Sequence, residues 1–559
     1  MGFLQIGFLQ RVSVKRLAVK ICALWGFLLV LGPPAFSLPD QKLIYPGEWP
    51  YDALASLSLE QRVLFFSGAM LTVSQMRGML AEIDRDSLSP AGGALYEKLA
   101  AYLEGPADLS IRSGALEVDV WAALQGELYY NSNEKTGWIY DYTKRKPFFT
   151  LPAAVSFSPY AALELDVNVE QKRDALLIER NFGNFLFGES FNFNMPHRAY
   201  LSLGLPLKES SGLHFKIGMG EDFFGRTHTG SVMLSERMTN ATYAGLSFYS
   251  PLVNYSANIM QLMVDKYYYY HKLETRFFKR LSFSMMEGVL VNAPLELRYL
   301  NPAMIFHSFH AYRDYPAPGD IKYDNSRASS FFAMKLEAQF IKYLRLYGIW
   351  ALNELQTPGE RKSDPNALRP DSFAFQGGAE FSLPHSLAGG GHWIFGLEGV
   401  YTYPFFYVME GKEWSFYKPA DSQTGNLDFW IGTPLGPDSA AAALWAGFRG
   451  PVWSLSLSLL FAAQGERSST GIFDTDTYHP WRTKDPGELR LVSPTGIPVY
   501  TWALGLSGAW SLKDWLSLHL NPGYKIMANY GHVPGGVEQG FEIALALRLR
   551  PPRRFSFGF

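Results

Sequence analysis

The chain has 559 residues, with 50 Lys+Arg against 52 Asp+Glu and a formal net charge of −2. That balance excludes the basic excess of a nucleic-acid binder, and 47% apolar with 15% aromatic residues excludes a disordered chain. A bundle of membrane helices needs repeated apolar runs of about 20 residues, and the only apolar run approaching that kind lies at the N-terminus.

That first segment has the layout of an export signal. Arg11, Lys15, Arg16 and Lys20 precede an apolar core from Ile21 to Gly32, and Ala35-Phe36-Ser37 supplies small residues at the −3 and −1 positions of a cleavage site. Residues 1–37 are expected to be a signal peptide cut near Ser37. Cys22 is the sole cysteine and falls inside this segment, so residues 38–559 contain no disulfide and no thiolate metal site.

Residues 38–112 read as a small periplasmic helical module, with helices over about 52–105. Leu57, Leu59, Val63, Leu64 and Phe65 fit one amphipathic segment. Met76, Met79, Leu80 and Ile83 fit a second at the i, i+3, i+4, i+7 spacing. The third has Ser89 as N-cap, Pro90 at the first helical position and Gly105 past the end, with Leu95, Leu99 and Leu103 as its apolar stripe. Three helices of this size have a very small core of their own, so docking onto a larger body is expected.

From about Leu116 the period changes from 3.6 to 2. Phe541, Ile543, Leu545, Leu547 and Leu549 alternate with Glu542, Ala544, Ala546, Arg548 and Arg550. Leu455, Leu457 and Leu459 alternate with Ser454, Ser456 and Ser458, and Met334 and Leu336 with Lys335 and Glu337. Successive side chains of a strand point to opposite faces, so one face is strongly apolar and the other small or polar. A soluble sandwich would bury the apolar face; a membrane barrel would turn it to lipid and line its lumen with the polar one. Segments of about 10 residues suit tilted transmembrane strands. So do the aromatics at Tyr267–Tyr270, Phe405–Tyr407, Trp510 and Trp515, read as interfacial girdles.

Candidate strands lie near 116–131, 148–157, 160–169, 199–206, 213–220, 241–249, 252–262, 267–275, 280–289, 330–340, 342–353, 373–383, 392–405, 439–449, 452–463, 500–510, 515–527 and 539–549. Short turns, such as Ser250-Pro251 and Gly450-Pro451, alternate with long loops, and Val264-Asp265-Lys266 is brief where a long loop is due. Short turns on the periplasmic side and long loops outside are the habit of outer-membrane barrels. The expected fold is thus an all-β transmembrane barrel of 16–18 antiparallel strands over residues 113–559, in contact with outer-membrane lipid. Phe555, Phe557 and Phe559 at the end resemble the C-terminal signature of bacterial outer-membrane barrels, which implies the barrel assembly machinery as a partner through Phe559.

No nucleophile elbow, phosphate loop, zinc-protease or calcium-loop spacing is present, so neither an enzyme nor a cofactor or metal site is expected. His307 and His310 stand three apart in a loop without a carboxylate pair nearby. Two denser polar groups remain as ligand-binding candidates. Glu221, Asp222 and Arg226 sit where a strand ends; Glu296, Arg298 and Tyr299, followed by Asn301, sit in the longest loop. The apolar run Pro302 to Phe306 in that loop is expected to fold inward and constrict the pore.

Two stretches, Ile217-Gly218-Met219-Gly220-Glu221-Asp222-Phe223-Phe224-Gly225-Arg226 with Gly230 to Ser235, and Met286-Glu287-Gly288 with Leu297-Arg298-Tyr299-Leu300-Asn301-Pro302, together with Leu88-Ser89-Pro90-Ala91, resemble the capsule-assembly Wzi-like outer-membrane proteins. The resemblance spans most of the chain after the signal. It implies an 18-stranded barrel with N-terminal helices at the periplasmic end and a role in binding or assembling surface polysaccharide. Two other readings stay open from the residues alone: a porin-like channel for small polar solutes, and an adhesive surface protein.

Overall fold

The computed structural model describes residues 38–559 apart from 106–108, 114–115, 142, 158, 172–181, 186–190, 195–197, 209, 239–240, 307–327, 364, 366–367, 386–389, 410–413, 419–428, 470–490, 551–554 and 559. The expected signal peptide with Cys22, the pair His307 and His310, and Phe559 lie outside the described residues.

The alternating segments close into an antiparallel barrel of eighteen strands. β1 runs through Leu116–Val120 and, past a break, Ala123–Asn131. β2 to β6 are Phe149–Phe157, Ala161–Gln171, Ala199–Lys208, Ser211–Gly220 and Ala241–Tyr249. β7 to β12 are Val253–Met263, Lys266–Phe277, Leu281–Asn292, Ala328–Ala338, Leu344–Glu354 and Ser372–His385. β13 to β18 are Gly391–Thr402, Ser439–Arg449, Trp453–Gln464, Val499–Lys513, Leu516–Ala528 and Val537–Leu549. Each pairs with the next, and β18 closes on β1 with Leu545 opposite Leu128. The last barrel strand thus ends at Leu549. Phe555–Gly558 forms a separate short strand, parallel to Leu109–Ser113.

The wall has the orientation that its alternation demands. Leu455 and Leu545 on the outer face are 45% and 39% exposed, while Lys335 on the inner face is 1% exposed. Leu163, Leu205, Leu246, Leu397, Leu444 and Leu504 continue the exposed apolar belt around the barrel. An unbroken apolar belt of this extent is stable against hydrocarbon rather than water.

The connections alternate in length. Short connections join β2 to β3, β4 to β5, β6 to β7, β8 to β9, β10 to β11, β12 to β13, β14 to β15 and β16 to β17 at one rim, with 159–160, 250–252, 278–280, 339–343, 450–452 and 514–515 among their described residues. The other rim carries the longer loops, among them the first, third, fifth and seventh, whose described parts are 132–141 and 143–148, 221–238, 293–306, and 403–409, 414–418 and 429–438. The fourth, 264–265, is the one brief member.

At the short-turn rim sit three helices, α1 (Trp49–Gln61), α2 (Val73–Leu80) and α3 (Pro90–Glu104). The Ser89 hydroxyl caps α3 by accepting from the Gly92 amide, and Thr72 with Gln75 forms a capping box on α2. Arg62, in the left-handed region at φ 57°, stops α1, so Val63, Leu64 and Phe65 lie beyond the helix. α1 is buried from Pro50 to Glu60, wedged between α3 and the barrel end, which is why its apolar period is weak. The Tyr343 amide donates to Leu59 O (2.8 Å), the Leu64 amide to Lys279 O (2.8 Å) and the Gln41 side chain to Pro159 O (2.8 Å), and Arg449 pairs with Asp52 (3.0 Å). Three short turns and the end of β14 are gripped in this way.

Candidate functional site: the filled lumen

The inner face of β5 to β13 carries single charges on the polar phase of each strand, and the fold assembles them into one network. At the end of β5 the chain turns into the lumen and buries Asp222 completely. Its carboxylate accepts from Lys272 Nζ (2.7 Å), the Tyr270 hydroxyl (2.5 Å) and the Phe223 amide (2.9 Å), with Lys216 Nζ at 3.5 Å. Burial pushes this carboxyl up, but the two ammonium groups outweigh burial and hold it well below the usual carboxylate range. Arg226 pairs with Glu380 (2.7 Å), Glu380 with Arg345 (3.3 Å), Arg345 with Glu337 (2.6 Å), Glu337 with Lys335 (3.0 Å) and Lys335 with Glu274 (3.1 Å). Glu221 is half-buried with Arg198 at 3.8 Å.

The N-terminal segment plugs into this network. Ser67 Oγ donates to Glu337 (2.8 Å), the Ser67 and Gly68 amides donate to Glu274 (3.2 Å each), and Lys272 Nζ lies 3.4 Å from Gly68 O. Alternating partners at these distances form a satisfied buried scaffold rather than an open ligand site.

Above the charged layer the loops fold inward. Phe224, Val232, Met233 and Leu234 of the third loop pack with Phe406, Tyr407, Phe416 and Trp430 of the seventh, against Tyr268, Tyr270, Met286 and Phe331 on the wall. Gln376 on β12 fixes the third loop, accepting from the Val232 amide (3.0 Å) and donating to Gly230 O (3.1 Å). The first loop enters from the other side: the Ile139 and Tyr140 amides donate to Glu542 (2.7 Å each), and Asp141 pairs with Arg237 of the third loop (3.2 Å). His228 of the third loop stacks on Trp445 of β14, centroids 4.1 Å apart. Among the described residues, small hydroxyl side chains stay open to water on the inner face of β15 and β16, at Ser456, Ser507 and Ser511, beside β17.

Two sequence expectations do not hold. Tyr268 and Tyr270 point into the lumen while Tyr267 and Tyr269 face outward, so that run is only half on the outer wall, and Phe405, Phe406 and Tyr407 are buried in the seventh loop; Trp510 on the wall and Trp515 at the adjoining turn do stand exposed. The run Pro302 to Phe306 does not turn inward. It lies on the outer face of the barrel, where Phe306 and Tyr299 pack on Tyr269, Val289 and Val291. An inward course is taken up by the third and seventh loops already. The two candidate groups lie on opposite sides of the wall: Glu221, Asp222 and Arg226 are inside, while Glu296 and Arg298, paired at 2.8 Å, lie with Tyr299 outside. The residues that sequence reading missed, Lys272, Glu274, Arg345 and Glu380, were signalled only as charges on the polar phase of their strands. Among the described residues no group of three His, Cys, Asp or Glu could hold a metal ion.

A closed eighteen-stranded barrel with an apolar outer belt and a polar interior defines an outer-membrane β-barrel. No family model matches the chain, and no curated protein matches it. Among solved structures it is similar to Wzi of Escherichia coli, titled an outer-membrane protein involved in group 1 capsule assembly and a carbohydrate-binding β-barrel. The identity is 12%, with 92% of this chain and 100% of that chain covered at a TM-score of 0.56. OprD of Pseudomonas aeruginosa (9% identity, 78% and 96% covered, TM-score 0.37) and the outer-membrane channel DcaP of Acinetobacter baumannii (7%, 78% and 98%, TM-score 0.32) are more distant. At these identities the likeness concerns the fold.

Proposed function

We propose that this protein is a surface polysaccharide-binding or polysaccharide-assembly barrel of the outer membrane, non-enzymatic, whose N-terminal helices form a small periplasmic domain closing the lower mouth. The observation behind it is the filled lumen. Three loops meet across the barrel through Asp141–Arg237 and the Phe406–Tyr407–Trp430 cluster, and the N-terminal segment seals against Glu274 and Glu337 below. A barrel occupied in this way is suited to presenting loops at the surface rather than to passing solutes. The likeness to a barrel titled as carbohydrate-binding points the same way. Binding of purified protein to the surface glycan of its own cell, and the amount of glycan retained on cells lacking the protein, test it. Absence of binding together with unchanged surface glycan rejects it.

The hydroxyl-lined strip at Ser456, Ser507 and Ser511 favours a second reading, a narrow channel along β15 to β17. Planar-bilayer recording separates the two.

A further inference from the structure

The fifth loop leaves β9 and turns back over the outside of the barrel. Phe306 (0% exposed) and Tyr299 (2%) are pressed onto Tyr269 of β8 and Val289 and Val291 of β9. The Tyr255 hydroxyl on β7 donates to Pro302 O, and the His271 ring on β8 lies 4.4 Å from Phe306. The brief fourth connection, 264–265, leaves room at the rim for this course. Beneath the loop the outer wall has a polar flaw: His271 stands directly opposite Glu287, at positions that face outward on β8 and β9. Ionisable side chains on a lipid-facing wall are destabilising.

The other side of the loop is apolar and open. Leu295, Leu297, Leu300 and Ile305 are 52%, 77%, 43% and 55% exposed. Its charged pair, Glu296–Arg298, is internally matched at 2.8 Å. Its backbone closes on itself through a 3-10 turn at Leu297–Leu300, the Tyr299 amide donating to Glu296 O, the Asn301 amide to Arg298 O and the Met304 amide to Asn301 O. Three amides are thus paired within the loop and its inner side is covered by the wall, which lowers the cost of holding this backbone against hydrocarbon.

We propose that residues 293–306 form a lipid-facing strap. Its inner aromatics cover the His271–Glu287 flaw, and its outer leucines and isoleucine extend the barrel's apolar belt into the acyl chains of the outer leaflet. The occupant is lipid because the strap is continuous with the belt around it, Ile259 and Tyr267 of that wall packing against the same cluster.

Spin labels on single cysteines decide it, in a Cys22→Ser background so that no other thiol is present. Leu297→Cys and Ile305→Cys are compared, in the full chain reconstituted in phospholipid bilayers, with Leu545→Cys on the belt and Lys362→Cys in an exposed loop helix. The strap labels are expected to collide freely with oxygen and poorly with a water-soluble nickel chelate, as the label at 545 does. Labels that follow the pattern at 362 would overturn the proposal by placing the strap in water. Labels shielded from both reagents would overturn it in favour of a second protein surface. Since both sites are open, folding of each variant is checked by heat-modifiable electrophoretic mobility.

Discussion

Replacing Lys335 by Met keeps the volume of a fully buried side chain but removes its ammonium, which contacts Glu274 (3.1 Å), Glu337 (3.0 Å) and Ser67 Oγ (3.0 Å). Glu337 retains Arg345 at 2.6 Å, so the deficit falls on Glu274, whose other partners are the Ser67 and Gly68 amides. Breaking one side of a buried pair costs about 3–5 kcal/mol. The barrel relieves that cost by turning Glu274 away, which releases the segment around Ser67 rather than unfolding strands held by their ladders. At about 1.4 kcal/mol per tenfold, amide exchange at Ser67 and Gly68 should accelerate at least about a hundredfold, read by hydrogen exchange, while mid-strand amides are unchanged. Lys335→Met with Glu274→Gln removes both charges and should recover part of the protection, because the carboxamide oxygen still accepts from one of the two amides, which Glu274 receives on separate oxygens. Unchanged exchange in the single variant, or no recovery in the double, would refute the role given to this network in holding the N-terminal segment.

Asp222→Asn leaves Lys216 and Lys272 buried without their carboxylate; a loss of about 3–5 kcal/mol is expected, seen as faster proteolysis within 221–238 in a barrel that remains heat-modifiable. Glu236, in the third loop, is pushed up to about 7, first by burial. A raised folded value means that the folded loop binds the proton more tightly, so loop stability falls as pH rises from about 4.5 to about 7 and then levels. Glu236→Gln should flatten that slope in pH-dependent proteolysis, and a persisting slope would assign it to another group. Gly432→Ala places a Cβ against the Tyr407 hydroxyl and the Val232 carbonyl. The join between third and seventh loops should loosen, with increased exposure of Trp430 to a soluble quencher.

The barrel was legible because its signal is strictly periodic. Leu455 to Leu459 against Ser454 to Ser458 can satisfy only one register, since a slip of one residue would turn every leucine inward. The third helix was legible from Ser89 and Pro90, which are local chemistry. The interior was not. Phe405–Tyr407 and Tyr267–Tyr270 are aromatic clusters whose composition suits a lipid interface and a lumen plug equally, and only the course of the third and seventh loops distinguishes them. The run Pro302 to Phe306 shows the converse: an apolar stretch in a long loop signals burial, but not on which side of the wall. Of the candidate site, Glu221, Asp222 and Arg226 stood out because they are crowded in sequence. Lys272, Lys335 and Arg345 meet them only through strand neighbours, as separate charges that a water-filled lumen would equally explain.

The proposed polysaccharide role depends on the barrel interior being occupied. Single-channel recording of the full chain in a planar bilayer tests that directly. A sealed membrane with no steady unitary conductance is expected, and stepwise, ohmic conductance of a size typical of open porins would contradict an occupied interior.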